Sequence, residues 1–144
     1  MEKVKLSDLG ATVKKVLALL PAEGARASVI ALHGELGAGK TTFVQALAKE
    51  LGVAGAVQSP TYVLMKKYAV SHPRFKTLIH IDAYRLTNAQ EFAALRPEQF
   101  LSDPTALVAI EWPERVEGAL PTPDLTVKFS SEAAKEGERY IEVI

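Results

Sequence analysis

The segment Gly34-Glu-Leu-Gly-Ala-Gly-Lys40-Thr41 fits G-x-x-x-x-G-K-[ST] at every fixed position, the pattern of a loop that cradles phosphate groups. Each residue type has a mechanical reason to be there. Gly34, Gly37 and Gly39 allow backbone conformations that a Cβ penalises. Without side chains in the way, amide N–H groups converge on phosphate oxygens. The positive end of a helix that follows favours the same anion. Lys40 adds a formal charge for the β- and γ-phosphates, and Thr41 offers a hydroxyl to Mg²⁺, which prefers oxygen ligands. The expectation is a nucleoside triphosphate, ATP with Mg²⁺, held along residues 34–41: Gly34, Glu35, Leu36, Gly37, Ala38, Gly39, Lys40 and Thr41.

Such a site needs a carboxylate for Mg²⁺ or its waters and a group that orients the attacking water. Asp82 ends the apolar run Leu78-Ile79-His80-Ile81, and Glu111 ends Ala106-Leu107-Val108-Ala109-Ile110. Ligands in open α/β sheets sit beyond the carboxyl ends of the strands, so both residues are catalytic candidates. The cleaner apolar run favours Glu111, with Thr41, as the metal pair. Asp82 then positions water or supports the metal, but the residues alone leave open which carboxylate does which. Thr61, in Ser59-Pro60-Thr61-Tyr62, is a third catalytic candidate, a switch-like contact to the γ-phosphate, unless it only turns the chain into a strand. Trp112 is read as a core, partner-facing or base-facing ring, and Arg85 as a phosphate contact or a structural ion pair. His33 and His80 sit in apolar runs and are read as structural.

The elements that position these residues follow from hydrophobic spacing. Residues 8–20 read as a helix with Val13, Val16, Leu17 and Leu20 on one face, Ser7 as cap and Pro21 as stop. Ala27–His33 reads as a strand buried on both faces. Lys40–Leu51 reads as a helix ended by Gly52. Strands are expected at Tyr62–Tyr68, Leu78–Asp82, Ala106–Glu111, Leu125–Ser130 and Tyr140–Ile144. A helix capped by Thr87 and interrupted by Pro97 is also expected. Alternating strands and helices through residue 111 predict an α/β, P-loop NTPase-like fold: a mixed, mainly parallel sheet flanked by helices, with antiparallel C-terminal strands.

The chain has 144 residues, which predicts a single domain over 1–144. Seventeen Lys plus Arg balance seventeen Asp plus Glu, so the basic footprint of bulk nucleic-acid binding is missing. There is no cysteine, which excludes disulfides and thiolate metal sites. The apolar runs are too short to span a bilayer, and Met-Glu-Lys-Val-Lys is not a signal-peptide core. A cytoplasmic protein without membrane contact is expected.

The ordered set GELGAGKTT (34–42), SPTY (59–62), HIDAYRL (80–86) and EWPER (111–115) resembles the bacterial TsaE (YjeE) family. The resemblance implies a small P-loop ATPase needed for the threonylcarbamoyladenosine modification of tRNA, weakly active without its partners. It implies that ATP hydrolysis resets a complex of TsaB and TsaD between turnovers, and the neutral net charge points to tRNA being bound chiefly through those partners. Carried over by position, Lys40 and Thr41 fall in the nucleotide and metal site, and Thr42 on a second hydroxyl position. Asp82 and Glu111 fall on the two acidic positions, and Arg139 on a basic residue near the nucleotide. Glu35 stands where Asp is common and is expected to act through its backbone. A small-molecule kinase would use the same loop, but no Arg-rich lid segment is evident. A GTPase is disfavoured, since neither N-K-x-D nor D-x-x-G occurs.

Overall fold

The computed structural model describes residues 2–53, 65–86, 88–132 and 134–144. Thr61 and the expected cap Thr87 lie outside them. Among the described residues, seven strands form one sheet: β1 (Glu2–Lys5), β2 (Ser28–His33), β3 (Met65–Ala69), β4 (Thr77–Asp82), β5 (Ala106–Glu111), β6 (Leu125–Ser130) and β7 (Glu138–Val143). Their order across the sheet is β1-β7-β6-β2-β5-β4-β3. The central pairings β6–β2, β2–β5 and β5–β4 are parallel, and the outer pairings β1–β7, β7–β6 and β4–β3 are antiparallel. The fold is therefore a mixed α/β sheet with a parallel centre, as the alternation of elements predicts.

Period-two alternation sends successive residues of the central strands to opposite faces. Ile30 and Leu32 of β2 join one core with α1 (Leu9–Leu19) and α2 (Lys40–Glu50), through Val13, Val16, Phe43 and Leu47. Val29 of β2 and Val108 and Ile110 of β5 join the other, which is closed by Phe92 of α3 (Ala89–Ala93) and Phe100 of α4 (Glu98–Leu101). Burial on both faces is why β2, β4 and β5 read as continuous apolar runs.

Several local expectations are corrected. Ser7 does not cap α1: it lies in a 3-10 turn, Leu6–Asp8, and no side chain caps the helix among the described residues. The cap of α3 is Asn88, whose side chain accepts from the Glu91 N–H at 3.0 Å. α4, beyond Pro97, and β1 carry too few apolar residues to be read from periodicity. Among the described residues, no helix is long and apolar enough to cross a membrane.

β2 carries the glycine loop, and its first half is pinned from the side. The Asp124 carboxylate accepts the Val29 N–H at 2.8 Å and the Arg26 guanidinium at 3.2 Å, while the Asp124 N–H donates back to the Val29 carbonyl at 2.9 Å. Val29 is fully buried, so its N–H has no water to fall back on. Asp124→Ala is expected to lower unfolding free energy by about 1–3 kcal/mol, read in urea melts. Asp124→Asn, which keeps an acceptor, should lose less.

Candidate functional site

The loop from Gly34 to Gly39 joins the end of β2 to the start of α2. A Cβ on Gly34 would lie 2.8 Å from the Phe129 carbonyl oxygen of β6, so only glycine lets the loop leave the sheet there. Gly39 has φ +106, left-handed backbone that glycine adopts without strain, and it turns the chain into α2. Among the described residues no side chain caps α2. Its first-turn N–H groups are therefore free of side-chain caps and face the kind of site that favours an anion.

Lys40 opens α2 and is buried, with 4% of its surface exposed. Its ammonium donates to the Gly34 carbonyl and, at 2.9 Å, to the Glu35 carbonyl. It also sits 4.5 Å from the centroid of the Trp112 ring. Burial pushes its pKa down, while the charges of Glu111 and Asp82 oppose that shift.

β5 is the neighbour of β2, so Glu111 at its carboxyl end comes to lie beside α2. Thr41 Oγ1 is 3.2 and 3.3 Å from the two Glu111 carboxylate oxygens. β4 is one strand further out. Asp82 is in register with Glu111 but makes no hydrogen bond to Thr41; its carboxylate accepts the Tyr84 N–H at 3.0 Å. Burial pushes the Asp82 carboxyl above its ordinary pKa; the Tyr84 N–H opposes this and the Glu111 charge adds to it. Trp112, directly after Glu111, has φ +59 and ψ +49. That left-handed conformation costs a non-glycine residue roughly 1–2 kcal/mol. It turns the indole over Lys40 and against the Tyr84 ring, 5.0 Å away.

These groups line one cavity of about 390 Å³. Of the residues singled out in the sequence, Leu36, Gly37, Ala38, Gly39, Lys40, Thr41, Thr42, Asp82, Glu111, Trp112, Arg85 and Arg139 line it. Gly34 contributes its carbonyl to Lys40. The Arg139 guanidinium donates to the Gly37 carbonyl at 3.1 Å. Glu35 has a side-chain task that sequence reasoning missed: one carboxylate oxygen accepts both the N–H and the hydroxyl of Ser131, each at 2.9 Å. The Ser131 N–H holds the Glu35 carboxyl below its usual pKa. Leu6 was also missed; pairing of β1 with β7 brings it to the cavity, its N–H bonded to the Gly137 carbonyl at 2.8 Å. No local signal marks either contact.

The donor chemistry fits Mg²⁺. Thr41 and Glu111 supply hard oxygen donors side by side. Among the described residues no group of three or more His, Cys, Asp or Glu could hold a metal on protein ligands alone. Mg²⁺ is commonly bound that way, through one or two protein oxygens plus phosphate and water.

A buried parallel strand, a glycine loop with Lys-Thr at a helix start, and acids ending neighbouring strands define a P-loop α/β protein. Residues 4–141 match the family model described as threonylcarbamoyl adenosine biosynthesis protein TsaE, and the chain belongs to the TsaE family. The tRNA threonylcarbamoyladenosine biosynthesis protein TsaE of Treponema pallidum is 40% identical over 116 residues, 81% of each chain. The protein of that name from Bacillus subtilis is 33% identical over 139 residues, 96% of this chain and 84% of its own. The crystal structure of YdiB from Bacillus subtilis superposes with a TM-score of 0.66 at 26% identity, covering 97% of this chain and 83% of that one.

The raised pKa of Asp82 gives a signed prediction. The folded chain holds this proton more tightly than the unfolded chain, so ionised Asp82 subtracts from stability above the raised pKa. That loss disappears as pH falls below the ordinary carboxylate value of about 3.9. Asp82→Asn, which still accepts from Tyr84, is expected to raise Tm at neutral pH and to match the parent chain at about pH 3. Thermal melts across that range check it, and an advantage that grows on acidification would reverse the sign.

Proposed function

We propose that this chain, a single P-loop domain over residues 1–144, binds and hydrolyses ATP with Mg²⁺ as the switch component of tRNA N6-threonylcarbamoyladenosine biosynthesis. The reading is carried by the meeting of Thr41 and Glu111 at 3.2 Å beside the glycine loop, in a chain of the TsaE family. Residues 34–42 hold the phosphates. An ammonium has three donors; two of Lys40's are taken by loop carbonyls, and the third is available to phosphate. Thr41 and Glu111 would hold Mg²⁺, which when bound would supply positive charge against that developing on the phosphoryl oxygens. Asp82 orients the attacking water, and its burial keeps a proton acceptor close to the reacting centre. Thr61 senses the γ-phosphate.

The protein acts in the cytoplasm on a complex of TsaB and TsaD. With a net charge of zero, it reaches tRNA chiefly through those partners. ATP and ADP forms must bind the partners with different affinity for such a switch to work. A small-molecule kinase remains the alternative use of the same loop.

Inorganic phosphate release from ATP·Mg²⁺ tests this, with and without TsaB and TsaD. Slow release by the chain alone, faster release with both partners, and none in Lys40→Ala are expected. Lys40→Ala loses charge-assisted hydrogen bonds worth about 1.5–3 kcal/mol each. Asp82→Ala is expected to keep ATP affinity and to lower kcat by about 10²–10⁴-fold. Release indifferent to the partners would remove the switch role, and phosphate found on a small acceptor would favour the kinase.

A further inference from the structure

His80 sits in the middle of β4 with 0% of its surface exposed. Its Nε2 lies 2.5 Å from Glu111 Oε2, and its Nδ1 has no hydrogen-bond partner among the described residues. The polar capacity of this core ring is therefore directed at one carboxylate. Sheet geometry explains how it gets there. His80 and Asp82 share a face of β4. The register pairs His80 with Ala109 and Asp82 with Glu111, so His80 reaches Glu111 along the diagonal between neighbouring parallel strands.

The contact divides the two oxygens of Glu111. An ionised carboxylate only accepts, so with Glu111 charged this bond requires the proton on Nε2. The Thr41 hydroxyl lies nearly equidistant from Oε1 and Oε2, at 3.3 and 3.2 Å, and has one proton to give. His80 contacts Oε2 alone. The short bond thus breaks the symmetry that Thr41 leaves, and fixes the rotation of the carboxylate about its terminal torsion, which is otherwise broad.

We propose that His80 is a positioning residue for ATP hydrolysis. By holding Oε2 it turns Oε1 toward the nucleotide site, and it acts only through Glu111. This rests on the reading above that Glu111 serves ATP hydrolysis. Groups that hydrogen-bond a metal-ligating carboxylate typically change affinity or activity about 10–100-fold when removed.

The test compares His80→Gln with His80→Asn in the full chain, assayed for phosphate release with TsaB and TsaD. The Gln amide can place an N–H near the position of Nε2; the Asn amide is too short to reach Glu111. Both bury an amide, so the pair separates the bond from simple core filling. His80→Asn is expected to lose about 10–100-fold in kcat with little change in KM for ATP, and His80→Gln to retain most of the rate. Against a Glu111→Gln background, His80→Asn should add nothing further. A readout without turnover accompanies this. The chain has three histidines, so the ring ¹⁵N signals of His80 are assignable in the nucleotide-free protein. They should show Nε2 protonated and shift in Glu111→Gln. Equal kcat for the Gln and Asn variants, or a proton on Nδ1 with Nε2 bare, overturns the proposal. A parent chain that releases no phosphate overturns the ATPase reading instead, and the ¹⁵N spectrum still judges the bond to Glu111.

Discussion

A carboxylate with 4% of its surface exposed cannot stand alone in a protein interior, and Glu111 is the residue on which the arrangement of this cavity turns. Burying a charge is costly unless it is paired and hydrogen-bonded. Glu111 meets that demand from two directions, through His80 on β4 and Thr41 on α2, with the charge of Lys40 close enough to favour it. Those partners exist only because β5 lies between β2 and β4. A strand order that moved β2 or β4 away from β5 would leave the acid without one of them.

The same economy of partners shapes the lysine. Desolvation works against its charge, and the loop answers with two carbonyls while Trp112 adds an aromatic face. The aromatic face requires Trp112 to adopt left-handed backbone. Strain of that kind persists where surrounding contacts over-determine it. Here the turn that follows Trp112 buries Pro113 and Val116, and its Glu114 lies 3.3 Å from His33 Nδ1 at the end of β2. Arg115 also lies over the Tyr84 and Trp112 rings, at 5.5 and 6.0 Å from their centroids. Glu111, Trp112 and the glycine loop are thus held as one unit.

The antiparallel flank braces that unit from the other side of β2. β6 brings Phe129 against Gly34, the segment after it gives Ser131 to Glu35, and β7 gives Arg139 to the Gly37 carbonyl. Two points of the loop are therefore hydrogen-bonded to this flank, and a third packs closely against it. A phosphate loop works by having its N–H groups already aimed, so bracing lowers what must be ordered when an anion arrives.

Much of this was legible in the residues alone. The glycine-lysine motif is eight consecutive positions, and the chemistry expected of it lies in the residue types themselves. Strands β2, β4 and β5 announce themselves as apolar runs, because burial on both faces leaves no polar alternation. That Asp82 and Glu111 end such runs was equally plain. What the sequence left open was which acid meets Thr41, since that depends on strand order, and no local pattern encodes which strands become neighbours. The contacts of His80 and of the Glu35 side chain were not foreseen, for the same reason. Their partners lie 31 and 96 residues away, and only the packing of the whole sheet brings them within bonding distance.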